Sequence, residues 1–100
     1  MILTTTNSVE GFKIAEYKGI VSGTAVNMQK MEWTLSMQKY YAGISEGISE
    51  IKDQAFLQLK ANAEKLNAGA VVGISVDIEL TPSSYIMVTA TGTAVSIIKK

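Results

Sequence analysis

The sequence predicts an α+β domain in which an antiparallel sheet packs on a long, interrupted helical segment. Three observations carry this expectation. Ile48, Ile51, Ala55, Leu59, Ala63 and Leu66 step by three and four, the period of a helix with one buried face. Strict alternation begins a few residues later: Val72, Ile74, Val76, Ile78 and Leu80 fall on one face, and Gly73, Ser75, Asp77 and Glu79 on the other. Between the two patterns stand Asn67 and Gly69, residue types that accept the left-handed conformation with which helices commonly end. One hundred residues make one domain, spanning 1–100, with enough chain for one modest core.

The elements follow in order. Ile2 to Thr6 is short and rich in β-branched residues, which suits an edge strand, and Asn7 to Gly11 breaks it. Phe12 to Val26 reads as a long strand with bends or bulges at Gly19 and Gly23. From Met28 the period changes: Met28, Met31 and Leu35 form a helical row flanked by Trp33, Met37, Tyr40 and Tyr41. Gly43 and Gly47, interleaved with Ser45 and Ser49, predict a break there, with one of the serines capping the second helix. Thr81-Pro82-Ser83-Ser84 is a turn, and Tyr85 to Ile98 the last strand.

The apolar faces also predict register. A two-residue loop at Pro82-Ser83 would set Ile78 opposite Met87 and Ile74 opposite Thr91. A slip by one instead pairs Ile78 with Ile86, Val76 with Val88 and Ile74 with Ala90, apolar throughout, which predicts an odd-numbered loop or a bulge at the hairpin. The last strand has a second, partly apolar face in Tyr85, Met87, Val95 and Ile97, for which a neighbouring subunit is the simplest cover. Gly-Thr-Ala-Val occurs at Gly23–Val26 and again at Gly92–Val95. Too short for a domain repeat, it either recurs by chance or marks two places where backbones approach closely.

Composition excludes a good deal. The nine basic residues are all lysines and balance nine acids, so the bidentate guanidinium fork is absent and a nucleic-acid partner is not expected. Histidine and cysteine are both missing, which removes disulfides, thiolate nucleophiles, imidazole bases and the usual zinc ligands. No signal peptide opens the sequence and no apolar run suits a membrane span, so a cytoplasmic location is expected, with no membrane partner. At 47% hydrophobic and 18% charged, the chain is apolar for its size, which suggests surface hidden against copies of itself.

A set of short motifs then lines up in order: the Thr-Thr opening, Glu10-Gly11, Glu16-Tyr17-Lys18-Gly19-Ile20-Val21-Ser22-Gly23, Ala70-Val71-Val72-Gly73-Ile74 and Gly92-Thr93-Ala94-Val95. Together they resemble the YbjQ-like bacterial family, often labelled "putative heavy-metal-binding". The resemblance implies a β-α-β-β subunit of dodecin-like fold, assembled as a ring-shaped homopentamer with short strands joining subunits. Two departures stand out. Tyr41-Ala42-Gly43-Ile44-Ser45-Glu46-Gly47 lacks the arginine and Tyr-Glu pair that the family usually carries before its last helix, and Asn67 replaces a glycine.

Candidate chemistry is thin. Met28, Met31 and Met37 offer thioethers to copper(I), but a methionine stripe at helical spacing more commonly fills a core. Glu46, Glu50 and Asp53 share a helical side and suit a hard cation, or else form a solvated face beside Lys52 and Lys60. Asp77 and Glu79, with Ser75, share a strand face and pose as paired acid and base, or as the polar outside of a sheet. Tyr17, and Trp33 with Tyr40 and Tyr41, invite ligand stacking, against ordinary packing roles. No phosphate loop is present. The expectation is therefore no enzyme, no cofactor, and neither catalytic nor metal-ligating residues: a small homo-oligomer of scaffolding or binding role, or else a small-molecule binder with an aromatic pocket between subunits.

Overall fold

The computed structural model describes residues 1–28, 37–80 and 85–100, with side chains throughout except 27–28 and 37–47. Strand β1 (Ile2–Leu3), strand β2 (Phe12–Met28), helix α1 (Met37–Glu64), strand β3 (Ala70–Leu80) and strand β4 (Tyr85–Lys99) follow one another along the chain. They form one four-stranded sheet in the order β1-β3-β4-β2. The β2–β4 and β3–β4 pairs are antiparallel, while β1 runs parallel to β3, so the sheet is mixed rather than antiparallel. Two strands precede the helix, as the residue pattern predicts, where the β-α-β-β order implied by the resemblance has one.

α1 is continuous through Gly43 and Gly47, so neither glycine breaks it and Ser45 and Ser49 lie inside it rather than at a cap. A glycine inside a helix costs only about 1 kcal/mol relative to alanine, which the burial of Ile51, Ala55, Leu59 and Ala63 further along α1 readily offsets. Met28 closes β2, opposite Tyr85, and so cannot share a helical face with Met31. Met31, Trp33 and Leu35 lie outside the described residues.

The helix ends as its sequence foretells. Asn67 has φ 59°, the Ala68 amide bonds the Ala63 carbonyl at 3.2 Å, and the Asn67 amide bonds that of Glu64 at 3.0 Å. This pair of bonds is the Schellman closure, and Ala68 and Ala63 pack into the same apolar cluster beneath it. Ile51, Ala55, Leu59 and Ala63 are fully covered by the sheet, whereas Leu66 lies beyond the last turn and is exposed.

A bulge in β3 corrects its predicted faces. The pairing slips between Val72 and Ser75, where Gly73 adopts φ 62°, and the Thr6 and Thr4 carbonyls bond the Gly73 and Ile74 amides at 2.8 and 3.1 Å. The extra residue reverses side-chain parity. Val71 and Ile74 therefore both face α1, while Val72 turns to the other side and packs with Ala70 and Val95. The hairpin does have odd parity, with five residues between paired Leu80 and Ile86. The pairs are Ile78–Val88 and Val76–Ala90, two residues from those expected, and still apolar against apolar.

The second apolar face of β4 is covered in part by the chain itself. Val95 is fully buried there by Val9, Ile14 and Ile97. Val95 therefore owes its burial to its own chain.

Candidate functional site

Two surfaces concentrate what chemistry the chain has: the sheet face opposite α1, and the outer half of β3. The open face is ordered by register. Ser75, Thr91 and Ser22 form one cross-strand row, and Asp77, Thr89 and Thr24 the next; Glu79, Met87 and Val26 form a third. Asp77 and Glu79 are both exposed and line a shallow hollow of about 350 Å³ with Ile78, Met87 and Thr89. They share a face as expected, and cross-strand pairing adds hydroxyls that sequence spacing could not place.

Acid–base catalysis needs polar groups held in a positioned, desolvated setting. Among the described residues no polar or charged side chain is buried. Asp77 and Glu79 therefore read as the wet side of a sheet. Replacing both by alanine is expected to leave the urea midpoint of the dilute monomer nearly unchanged, within about 0.5 kcal/mol, as for surface positions in general. A loss of more than about 1 kcal/mol would show that they do structural work.

The other candidates disperse. Glu50 and Asp53 are exposed on α1, and the Glu46 side chain lies outside the described residues, as do those of Met37, Tyr40 and Tyr41. Asp53 sits with Lys60, Leu3, Phe56 and Leu57 around a hollow of about 320 Å³, and a lysine in the lining disfavours a divalent cation there. Tyr17 stands 70% exposed between two β2 bulges, near Ile20 at 81%. The Thr-rich opening is spent on shape: the Thr4 and Thr6 hydroxyls bond each other at 2.8 Å, and the Thr6 hydroxyl donates to the Ser8 carbonyl at 2.6 Å.

The two outer edges of the sheet differ. On β2 the helix reaches down: the Thr24 amide donates to Gln58 Oε1 at 2.5 Å, and Asn62 Nδ2 donates to the Ser22 carbonyl at 2.7 Å. Two bulges and Lys13 and Lys18 mark the rest of that edge, a common defence against unwanted strand pairing. On β3, β1 covers only the first residues of the outer edge, and beyond Ile74 no strand among the described residues lies on that side. Ile78 is 45% and Leu80 63% exposed along this stretch, although alternation had placed both in the core. The helix packs on β2, β4 and the first half of β3, and among the described residues nothing covers Ile78 and Leu80.

The family profile described as "Putative heavy-metal-binding", that of YbjQ-like proteins, matches residues 1–98. The chain belongs to this family. UPF0145 proteins from Acetivibrio thermocellus and Bifidobacterium longum subsp. infantis are 33% and 36% identical, covering 97% and 100% of this chain and 99% and 98% of their own. One from Clostridium botulinum is 38% identical over 95% of this chain and 97% of its own. A solved Pediococcus pentosaceus protein of unknown function, from the DUF74 family, superposes with a TM-score of 0.75 at 24% identity, covering 98% of each chain. That similarity shows the shared fold.

The described residues of this YbjQ-like chain do not fit the metal in the family's description. Soft and borderline metals take thiolate, imidazole or thioether; the sequence has neither of the first two, and the Met28, Met31 and Met37 side chains lie outside the described residues. Among the described residues no three carboxylates gather within reach of one ion. No helix among them is long and apolar enough to cross a membrane.

Proposed function

We propose that the chain is a structural subunit of a closed homo-oligomer, a dodecin-like homopentamer as the family resemblance implies, with a binding or scaffolding rather than catalytic role in the cytoplasm. The carrying observation is the bare outer half of β3 with exposed Ile78 and Leu80, in a molecule drawn out to 56 × 22 × 16 Å. β2 alone, seventeen residues at roughly 3.3 Å each, spans that long axis. The Cα radius of gyration is 16.6 Å, against about 13 Å for a compact domain of this length. One helix cannot cover a sheet this long, and copies of the chain supply the missing layer.

Native mass spectrometry at micromolar concentration tests the reading, since it reports subunit number and any bound mass together. A single closed species of several subunits is expected, with no mass beyond the protein. A monomer would sink the reading, and a retained chromophore would favour a small-molecule binder instead.

A further inference from the structure

The oligomer just proposed needs two surfaces that meet, and charge separates them along the long axis. At the end where Phe12 pairs with Lys99, the described charges are Lys13, Lys18, Lys65, Lys99 and Lys100 against Glu10, Glu16 and Glu64. At the opposite end, around the pairs Leu80–Ile86 and Ile78–Val88, they are Glu50, Asp53, Asp77 and Glu79 against Lys52 and, in the hollow it shares with Asp53, Lys60. A chain with no net charge is therefore basic at one end and acidic at the other. Each end also exposes large apolar side chains: Tyr17 and Ile20 at the basic one, Ile78 and Leu80 at the acidic one.

Pairing like with like is unfavourable. Two β3 edges laid antiparallel about Ile78 would set Asp77 opposite Glu79 of the other copy, on one face, and like charges directly opposed destabilise a ladder. Two basic ends meet the same objection. Unlike ends attract, and contact between two different surfaces of identical chains is heterologous, which closes into a ring when the rotation allows.

We propose that the open β3 edge of one copy, with Ile78 and Leu80, docks on the Tyr17–Ile20 surface of the next, bringing Asp77 and Glu79 toward Lys13 and Lys18. The inference rests on the oligomer reading and adds which surfaces carry it. The docking is head to tail, so each copy uses one surface of each kind.

The test uses two double variants at exposed positions, which leave the monomer's core untouched. Ile78→Lys with Leu80→Lys spoils the acidic end, and Tyr17→Glu with Ile20→Glu spoils the basic end. Sedimentation velocity is expected to show the wild type assembled and each variant at the monomer mass of 10.7 kDa, with unchanged far-ultraviolet circular dichroism. Mixed in equal amounts, the variants retain one good junction between them and are expected to give a dimer and nothing larger. Should the first variant lose its helix signal, Asp77→Lys with Glu79→Lys carries the same test. A variant that still assembles fully overturns the surface assignment while the oligomer stands. Variants that stay monomeric when mixed overturn the head-to-tail arrangement. A monomeric wild type overturns the oligomer itself, and this inference with it.

Discussion

Gly23→Ala is expected to destabilise the chain by about 3 kcal/mol or more, beyond the usual range for a single added methyl in a packed core. The reason is what the methyl would strike. A Cβ at Gly23 would fall on the Ala55 carbonyl oxygen, and within 2.5 Å of the Leu59 amide nitrogen. Both are backbone atoms of α1, so no rotamer change relieves the overlap and the whole helix must lift off β2. Gly92 gives the internal comparison. Its Cβ would come 2.6 Å from Val71 Cγ1 and 2.9 Å from Ile74 Cγ1, which are side-chain atoms able to shift, although Val72 O lies at 3.1 Å. Gly92→Ala should therefore cost less, about 1–3 kcal/mol. Gly11→Ala meets nothing within 4 Å, and its φ of 84° leaves only a backbone penalty of about 1 kcal/mol. Urea titrations of the three variants should fall in that order; a Gly23→Ala midpoint near the wild type would mean that α1 rides farther from the sheet.

These two glycines show what the sequence made legible. The repeated Gly-Thr-Ala-Val marks close approach at both of its occurrences; of the two bulge positions expected in β2, Gly19 adjoins a register shift and has φ 134°, while Gly23 pairs in register. Local rules succeeded where local chemistry decides. Asn67 took the left-handed position, and the Ile51-to-Ala63 stripe is wholly buried. They failed where distant chain decides. The Gly73 bulge depends on the carbonyls of Thr4 and Thr6, nearly seventy residues upstream, and it is the bulge that turned Val72 away from the face its alternation assigned. Ile78 and Leu80 look like core residues because alternation reports a face, not whether anything covers it.

The edge defence was equally hidden. Gln58 and Asn62 sit one turn apart on a polar helix face and in sequence read as ordinary solubilising residues. Only the docked helix reveals that they fill the open hydrogen bonds of β2 at Thr24 and Ser22. That leaves the outer half of β3 as an edge with no strand neighbour among the described residues, and it directs attention away from the carboxylates themselves. Asp77 and Glu79 matter less as reagents than as charges beside that edge.

Leu59→Ala is expected to cost about 3 kcal/mol, within the 2–5 kcal/mol seen for large-to-small core changes. Leu59 is fully buried among Val21, Ala63, Val71, Ile74, Ala90 and Ala94, mostly small neighbours that leave it as the principal filler between helix and sheet. The site is also poorly placed to collapse, because the Leu59 backbone already rests on Gly23 and the helix cannot move closer. A cavity should therefore persist, which pushes the cost upward from the bare transfer term. With about 4–8 °C lost per kcal/mol for a domain of up to 100 residues, the melting midpoint should fall by more than 10 °C at fixed protein concentration. Leu59→Met, which conserves volume, should cost less than about 1.5 kcal/mol. Leu57→Ala, two residues away and 67% exposed, should change the monomer by no more than about 0.5 kcal/mol. Equal effects at Leu57 and Leu59 would contradict the orientation of α1, and with it the bare flank of β3 on which the assembly depends.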